Sequence, residues 1–365
     1  MNTAKEEPAE KPEGKTITMA MIAKAAGVSQ GAISSLLNDR DYGIRVSPKT
    51  RERVFRVCRE MGYVPNDLRA VVRMYPEKGE LCVLAEEGSQ GDPAAAQLTR
   101  ALLLENPGRQ VTVSFYSATA DYSHPDSAPE PVHMGVASRF VTLGTPNPSL
   151  FAAIIAREFA VIHFGQEVQI PGVTSIVPDY AGASKLAIQS LFKMGHRQIA
   201  ILSGPFGSTD SAIIELNHGV RAGYDAIKTP IEAQNVVYGD LTFEHGAAAI
   251  DLLWQRARKP TALFCFNDLV AAGVLHRAQE NGLKIPQDLC VMGCGDASFG
   301  PLLHPPLTTI AFSAKEMAIQ ALEELRRRIG EEDFTSVAKL TIPSHLIQRA
   351  SCAPLETRET GRHEN

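Results

Sequence analysis

Residues 26–38 read AGVSQGAISSLLN. Ser29, Gln30, Ser34, Ser35 and Asn38 set small hydrogen-bonding groups along a stretch that carries no charge. Such groups suit recognition rather than bond-making. Short hydroxyls, and the free N–H groups at a helix N-terminus, can donate to phosphate oxygens. The Gln30 amide has the geometry to pair with N7 and N6 of adenine on a major-groove edge. Gly31 and Ala32 keep the first turn thin, so its backbone can come close to another surface. A small structural bundle could carry the same helix–glycine–helix pattern, and the stretch alone does not separate the two.

The surrounding elements favour a recognition head. Thr18 is placed to cap a helix running through Ala26, with Ile22 and Ala26 on one face, and Gly27 stops it. Ser29 caps a second helix to about Leu37, with Ile33, Leu36 and Leu37 inward. NDRDYGIRV reads as a loop. Ser47-Pro48 starts a third helix, with Val54, Val57, Cys58 and Met61 at i, i+3, i+4, i+7, and Gly62 ends it. Three short helices with a glycine turn predict a helix-turn-helix over 16–63. Its second helix would enter the major groove. Residues 1–15 read as a disordered tail. Residues 64–79 read as a linker with one helical piece at 66–74, and 354–365 as a polar tail.

After Glu80 the texture changes to alternating strands and helices. Strands are predicted at 81–85, 110–116, 138–144, 159–165, 175–177, 198–204, 235–239, 262–266, 289–294 and 307–312. Helices are read in GASKLAIQSLFKMG, NHGVRAGYDAIK, FEHGAAAIDLLWQRAR, NDLVAAGVLHRAQENG and SAKEMAIQALEELRRRIG. Apolar strands alternating with helices predict parallel sheets covered on both faces. So many strands exceed one comfortable doubly wound sheet. The expected fold class is a small all-α head on an α/β body of two doubly wound Rossmann-like lobes with a cleft between them.

Composition narrows the function. The chain has 365 residues, 44% hydrophobic and 21% charged, as a soluble globular protein does. No apolar run is long enough to span a bilayer. The N-terminus is polar and acidic without an apolar core, so a secretory signal is not expected and a cytoplasmic location is. The net charge of −5 argues against nucleic acid, but its distribution does not. Residues 15–78 carry +6, whereas residues 79–365 carry −9. A basic head on an acidic body fits a head that meets a polyanion. The cysteines Cys58, Cys82, Cys265, Cys290, Cys294 and Cys352 are scattered, and reduced cytoplasmic thiols are the expected state. No metal site and no cofactor are expected.

The segment IAKAAGVSQGAISSLLN…RVSPKTRERVFRVCREMGYVPN resembles the head of the LacI/GalR-type transcriptional regulators. LFKMGHRQIAILSGP, PTALFCFNDLVAAGVLHRAQENGLKIPQDLCVMGCGD, HPPLTTI and LIQRAS are similar to four later motifs of that family, in the right order. The resemblance covers roughly residues 16–352 except 85–160. It implies a body of the type I periplasmic-binding-protein-like kind, with three crossovers near Pro178, Phe312 and Gln348. The first lobe would then hold 80–178 plus 313–347, and the second 179–312 plus 348–353. It also implies a homodimer whose two heads read a pseudo-palindromic operator, repression as the commoner mode, and a small sugar-like effector. The head would touch DNA through Thr18, Ser29, Gln30, Gly31, Ser34, Ser35 and Asn38. The linker would do so through Asn66, Arg69 and Val72, where Val72 falls near the position that wedges the minor groove in relatives.

Departures from the family matter as much. Gly31, Ala32 and Ser35 stand where relatives carry larger readers, so direct readout leans on Gln30 and DNA shape. In the body, Val220 takes a place that is often Arg, with Arg221 one step away. Gly295 replaces a frequent Asp and leaves Asp296. Asn267 and Asp268 remain at a strand end facing the cleft. With His163 they complete the candidate effector set of Asn267, Asp268, Asp296, Arg221 and His163; for Asp268 a capping role is an equal alternative, and for His163 a core role. His196 is expected to be structural, at a helix-to-strand turn. The sequence has no G-x-S-x-G in frame, no Walker loop and no H-E-x-x-H, so no enzyme is expected. The competing readings are a constitutive regulator that has lost effector binding and, further off, a solute-binding protein.

Overall fold

A computed structural model describes residues 17–38, 46–61, 63, 80–89, 93–124, 126–135, 137–328 and 337–355. The expected tail at 1–15, the linker helix with Asn66, Arg69 and Val72, and residues 356–365 lie outside them.

The head is three helices, α1 (Met19–Ala26), α2 (Gln30–Asn38) and α3 (Pro48–Met61). Polar caps set where each begins. Thr18 Oγ1 accepts from the Met21 N–H at 3.4 Å, Ser29 Oγ from Ala32 at 3.1 Å, and Ser47 Oγ from Thr50 at 3.2 Å. Gly27 ends α1 in the left-handed region at φ +62°, where a Cβ would be strained, and returns its N–H to Ala23 and Lys24. The apolar faces set how the helices cross. Ile22, Ala26, Ile33, Leu37, Val54 and Cys58 meet in one core.

The body holds two six-stranded sheets. The first-lobe elements in chain order are β1 (Glu80–Glu86), α4 (Pro93–Glu105), β2 (Val111–Tyr116), α5 (Glu130–His133), β3 (Ala137–Leu143), α6 (Pro148–Ile155), β4 (Ala160–Phe164) and β5 (Val173–Pro178). The chain then enters the second lobe through α7 (Tyr180–Lys193), β6 (Ile199–Ser203), α8 (Ser211–Ala226), β7 (Val236–Tyr238), α9 (Phe243–Trp254), β8 (Ala262–Cys265), α10 (Asp268–Glu280), β9 (Cys290–Cys294) and β10 (Thr308–Phe312). Helix α11 (Ala314–Arg328) and β11 (Ala338–Ile342) return to the first lobe, and β12 (Ser344–Ile347) ends in the second. The orders are β11-β5-β4-β3-β1-β2 and β12-β10-β9-β8-β6-β7, with every pair parallel except β10–β12. Strands buried on both faces explain the continuous apolar runs, and each sheet has a separate core on either side.

All ten strands expected from sequence are present, and two more join them. Helices α4, α5 and α6 were not anticipated. The third crossing needs correction. Because β12 pairs with β10, residues 344–347 belong to the second sheet, and the passage falls at Pro343, not near Gln348. The cysteine expectation also needs correction. Cys290 and Cys352 are joined by a disulfide, while Cys58, Cys82, Cys265 and Cys294 are free and buried.

One charged cluster fastens α11 to the first sheet. Glu324 accepts from Thr174 Oγ1 at 2.9 Å, from Arg327 Nη2 at 2.6 Å and from the buried Arg328 Nε at 3.1 Å. Arg328 also donates to the Gly172 carbonyl at 2.6 Å. The Arg327 hydrogen bonds, helped by those from Thr174 and Arg328, outweigh burial and hold Glu324 down at about 2 against an ordinary 4.5. A depressed carboxylate stabilises the fold above its unfolded value. That contribution should therefore be complete above about pH 5 and lost as pH falls from 4.5 towards 2. Glu324→Gln should cost about 3 kcal/mol at neutral pH by stranding Arg328, and should flatten the acid limb of a denaturant-monitored stability profile. An unchanged acid limb would remove Glu324 from that role.

Candidate nucleic-acid interface

The start of α1 and the first turn of α2 border an open depression of about 530 Å³, lined by Thr18, Met19, Ala20, Gln30, Gly31 and Ser34. Four residues singled out from sequence thus share one surface. Thr18, Ser29 and Gln30 are exposed, and Gly31, Ser34 and Ser35 half-buried. Ser35 lies on the same helix outside the depression, and Asn38 is its last residue. Met19 and Ala20 were missed. Their side chains carry no hydrogen-bonding signal, and only the packing of α1 against α2 brings them here.

The chemistry of this surface is donation to an anion. The Ser29 oxygen accepts from Ala32, which leaves its O–H to donate outward. The α2 N-terminus adds backbone N–H groups and a partial positive charge. Lys24, Lys49, Arg53, Arg56 and Arg59 are exposed on α1 and α3. Exposed cations of this kind release counterions from a polyanion and supply sequence-independent affinity.

The second region is the cleft. In each sheet the strand order reverses beside the first strand, at β1/β3 and at β6/β8. Doubly wound sheets bind ligands outside the carboxyl ends at such points. Gln97 on α4 donates to the Asp296 carbonyl at 2.6 Å, so the two carboxyl edges face each other and touch.

The candidate effector residues divide there. Asn267 caps α10 by accepting from Val270 at 2.8 Å, and its amide donates to the Leu241 carbonyl at 3.0 Å. Asp268 is buried. Its carboxylate accepts from Ala297 N–H and from Thr309 Oγ1, both at 2.6 Å. Burial raises its pKa against the opposing pull of these hydrogen bonds. Asp296 adopts φ +54° and pairs with Arg349 at 2.6 Å. Arg221 is exposed on α8, whereas Val220 lies in the core. His163 is wholly buried, with Nδ1 2.9 Å from Thr142 Oγ1 and its ring edge-on to Phe151. Burial pushes it down to about 4. The structure therefore brings Asp268 and Asp296 together with Thr309 and Arg349, and does not bring Arg221 or His163 to them. His196 takes its structural place, bridging Thr261 and the Ala353 carbonyl at 3.1 Å each.

Sequence reasoning also missed an aromatic pair. Phe206, 82% exposed just beyond β6, meets Tyr238 at the end of β7 edge-to-face at 5.1 Å. An apolar ring left in solvent at a strand's carboxyl end is a signal only once the strand ends are known.

A helix-turn-helix head on a two-lobed α/β body defines the class of DNA-binding regulators with a ligand-type body. The comparisons with known proteins agree. The model for "Bacterial regulatory proteins, lacI family" matches residues 18–66, and that for "Periplasmic binding protein-like domain" matches residues 188–352. The HTH-type transcriptional regulator CelR of Thermobifida fusca is 28% identical over 92% of this chain and 98% of its own. The HTH-type transcriptional repressor CytR of Escherichia coli (strain K12) is 27% identical over 94% and 99%. A solved CelR–cellobiose complex is similar with a TM-score of 0.62, at 26% identity over 92% of this chain and all of that one. The chain thus joins a lacI-family head to a periplasmic-binding-protein-like domain, and the relatives it resembles along nearly its whole length are HTH-type transcriptional regulators.

If Asp268 is a clamp between α10 and the β9–β10 edge, Asp268→Ala should destabilise the protein by about 2–3 kcal/mol through two stranded donors. Urea unfolding without any ligand measures this. A variant as stable as the parent would make Asp268 free for a ligand instead.

Proposed function

We propose that this protein is a sequence-specific repressor that binds a pseudo-palindromic operator as a homodimer in the cytoplasm. The observation that carries this reading is the shared surface of Thr18, Gln30, Gly31 and Ser34 at the thin first turn of α2. A helix with so little bulk at its N-terminus can set its backbone close to base edges, with Gln30 as reader and Ser29 against phosphate. Two features support the homodimer. Val113 and Phe115 are exposed on one face of the edge strand β2, and Leu103 and Leu104 on the helix that leads into it. An exposed apolar edge of this kind needs a partner. No described helix is long and apolar enough to cross a membrane, which fits a protein that works on DNA.

A small effector acts at the cleft in this reading, and CelR's solved complex with cellobiose makes a sugar-like ligand the first to try. The candidate residues point to an altered ligand. Asn267 and Asp268 are engaged in their own lobe, and Asp296 is held by Arg349. One observation favours the constitutive alternative: the Gln97 amide bridges the lobes directly, donating to the Asp296 carbonyl.

Selection from randomised duplexes tests the main reading. The full-length chain should enrich a two-fold site, and Gln30→Ala should lose about 1–3 kcal/mol at one base step per half-site. No enriched site, or an unchanged preference in the variant, would contradict it. For the effector, a thermal-shift screen of sugars and nucleosides should find a ligand that raises the melting temperature with concentration. A flat screen supports the constitutive reading.

A further inference from the structure

The cysteines fall into two chemical groups. Cys58, Cys82, Cys265 and Cys294 are buried free thiols. Burial pushes Cys58 up to about 11 and Cys82 to about 12, and raises Cys265 and Cys294 too. Thiols held protonated in this way are poor nucleophiles at neutral pH. Cys290 on β9 and Cys352 just beyond β12 are bonded to each other, with Cα atoms 4.6 Å apart and a separation of 62 positions in sequence. That separation lies within the ordinary span of a disulfide.

The bond closes on a segment with a second task. Around Cys352, Ser351 Oγ donates to the Val291 carbonyl at 2.6 Å and accepts from Thr308 N–H at 2.7 Å. Arg349, three positions before Cys352, donates its N–H to Thr308 Oγ1 at 2.9 Å. Its guanidinium reaches the Leu307 carbonyl at 2.8 Å and Asp296 at 2.6 Å. Asp296 in turn accepts from Gln97 across the cleft. A contiguous chain of contacts therefore runs from the sulfur pair to the opposite lobe.

We propose that Cys290 and Cys352 form a reversible redox staple that controls closure of the cleft. Closed, it pins the Arg349 segment to β9, fixes Asp296 and favours the Gln97 bridge. Open, it lets residues 348–355 loosen and releases that bridge. Glutathione disulfide is the oxidant. One cysteine thiolate attacks it and expels a glutathione thiol, and the second cysteine thiolate then displaces the other glutathione as the Cys290–Cys352 bond forms. Two electrons and two protons leave the protein, and two glutathione thiols result. Both sulfurs are buried, so exchange waits on local opening of the chain's last described residues. A reducing cytosol keeps such a bond open, and oxidative stress closes it. The use of the device rests on the regulator reading, in which closure moves the heads.

The test uses the full-length chain in buffers of reduced and oxidised glutathione, without DNA, so its failure leaves the regulator reading intact. Alkylation and mass spectrometry detect the bond, and hydrogen exchange reads the lobes. In the oxidised buffer a linked Cys290–Cys352 peptide should appear. Exchange of the 295–300 and 93–105 segments should slow at least about fivefold, the low end of ordinary coupling between sites. Cys352→Ser and, as a second variant, Cys290→Ala should exchange like the reduced parent in both buffers. Arg349→Gln should keep the linked peptide but lose the slowing in 93–105. Absence of the linked peptide, or linkage that leaves 93–105 unchanged in the parent, would overturn the proposal.

Discussion

How near a helix can bring its backbone to a charged surface depends on the bulk of its first turn. In α2 that turn is Gln30, Gly31, Ala32, with Ser29 as cap. The rest of the head follows from keeping it thin and exposed. Ala32 sits at the edge of the core, and Ile33, Leu36 and Leu37 bury the opposite face, so Gln30 and Gly31 need not contribute to it. Gly27 turns the chain sharply enough to set α1 beside α2, and Thr18 and Met19 then border the same depression as Gln30. The cost of thinness is information. Gly31 has no side chain to read a base, so in the proposed DNA complex direct readout concentrates on Gln30.

The body solves a different problem. Parallel sheets need covered faces and long crossovers, and the three passages between lobes are where the chain can transmit a change. Two of them, after Pro178 and Phe312, lie side by side, with Tyr180 and Phe312 in edge-to-face contact at 5.2 Å. The third is the single residue Pro343 between β11 and β12. Glu324 and Arg328 lock α11 into the first lobe, and Arg349 locks the final segment into the second. The lobes are thus stiff bodies joined by short links, which suits rotation better than bending.

Much of this was legible because its causes are local. Caps, apolar periodicity and buried strand runs are written in neighbouring residues, so the three head helices and ten strands could be read. Strands β11 and β12 could not, since AKLTI and SHLI are short edge strands with Lys339 and His345 exposed. Pairing across 62 residues, as in Cys290 and Cys352, leaves no local trace. The same is true of Thr309 and Arg349 at Asp268 and Asp296. The motif residues Asn267 and Asp268 were visible, but their hydrogen-bond partners decide whether they hold a ligand or the fold. Those partners come from other strands.

The central claim is that the thin first turn of α2 meets duplex DNA while the acidic body stays clear. Hydrogen exchange of the full-length chain with and without a selected operator duplex measures this directly. The account predicts slowed exchange across residues 18–34, which is abolished at high salt. Protection confined to the body, or a head that exchanges equally with and without the duplex, would contradict it.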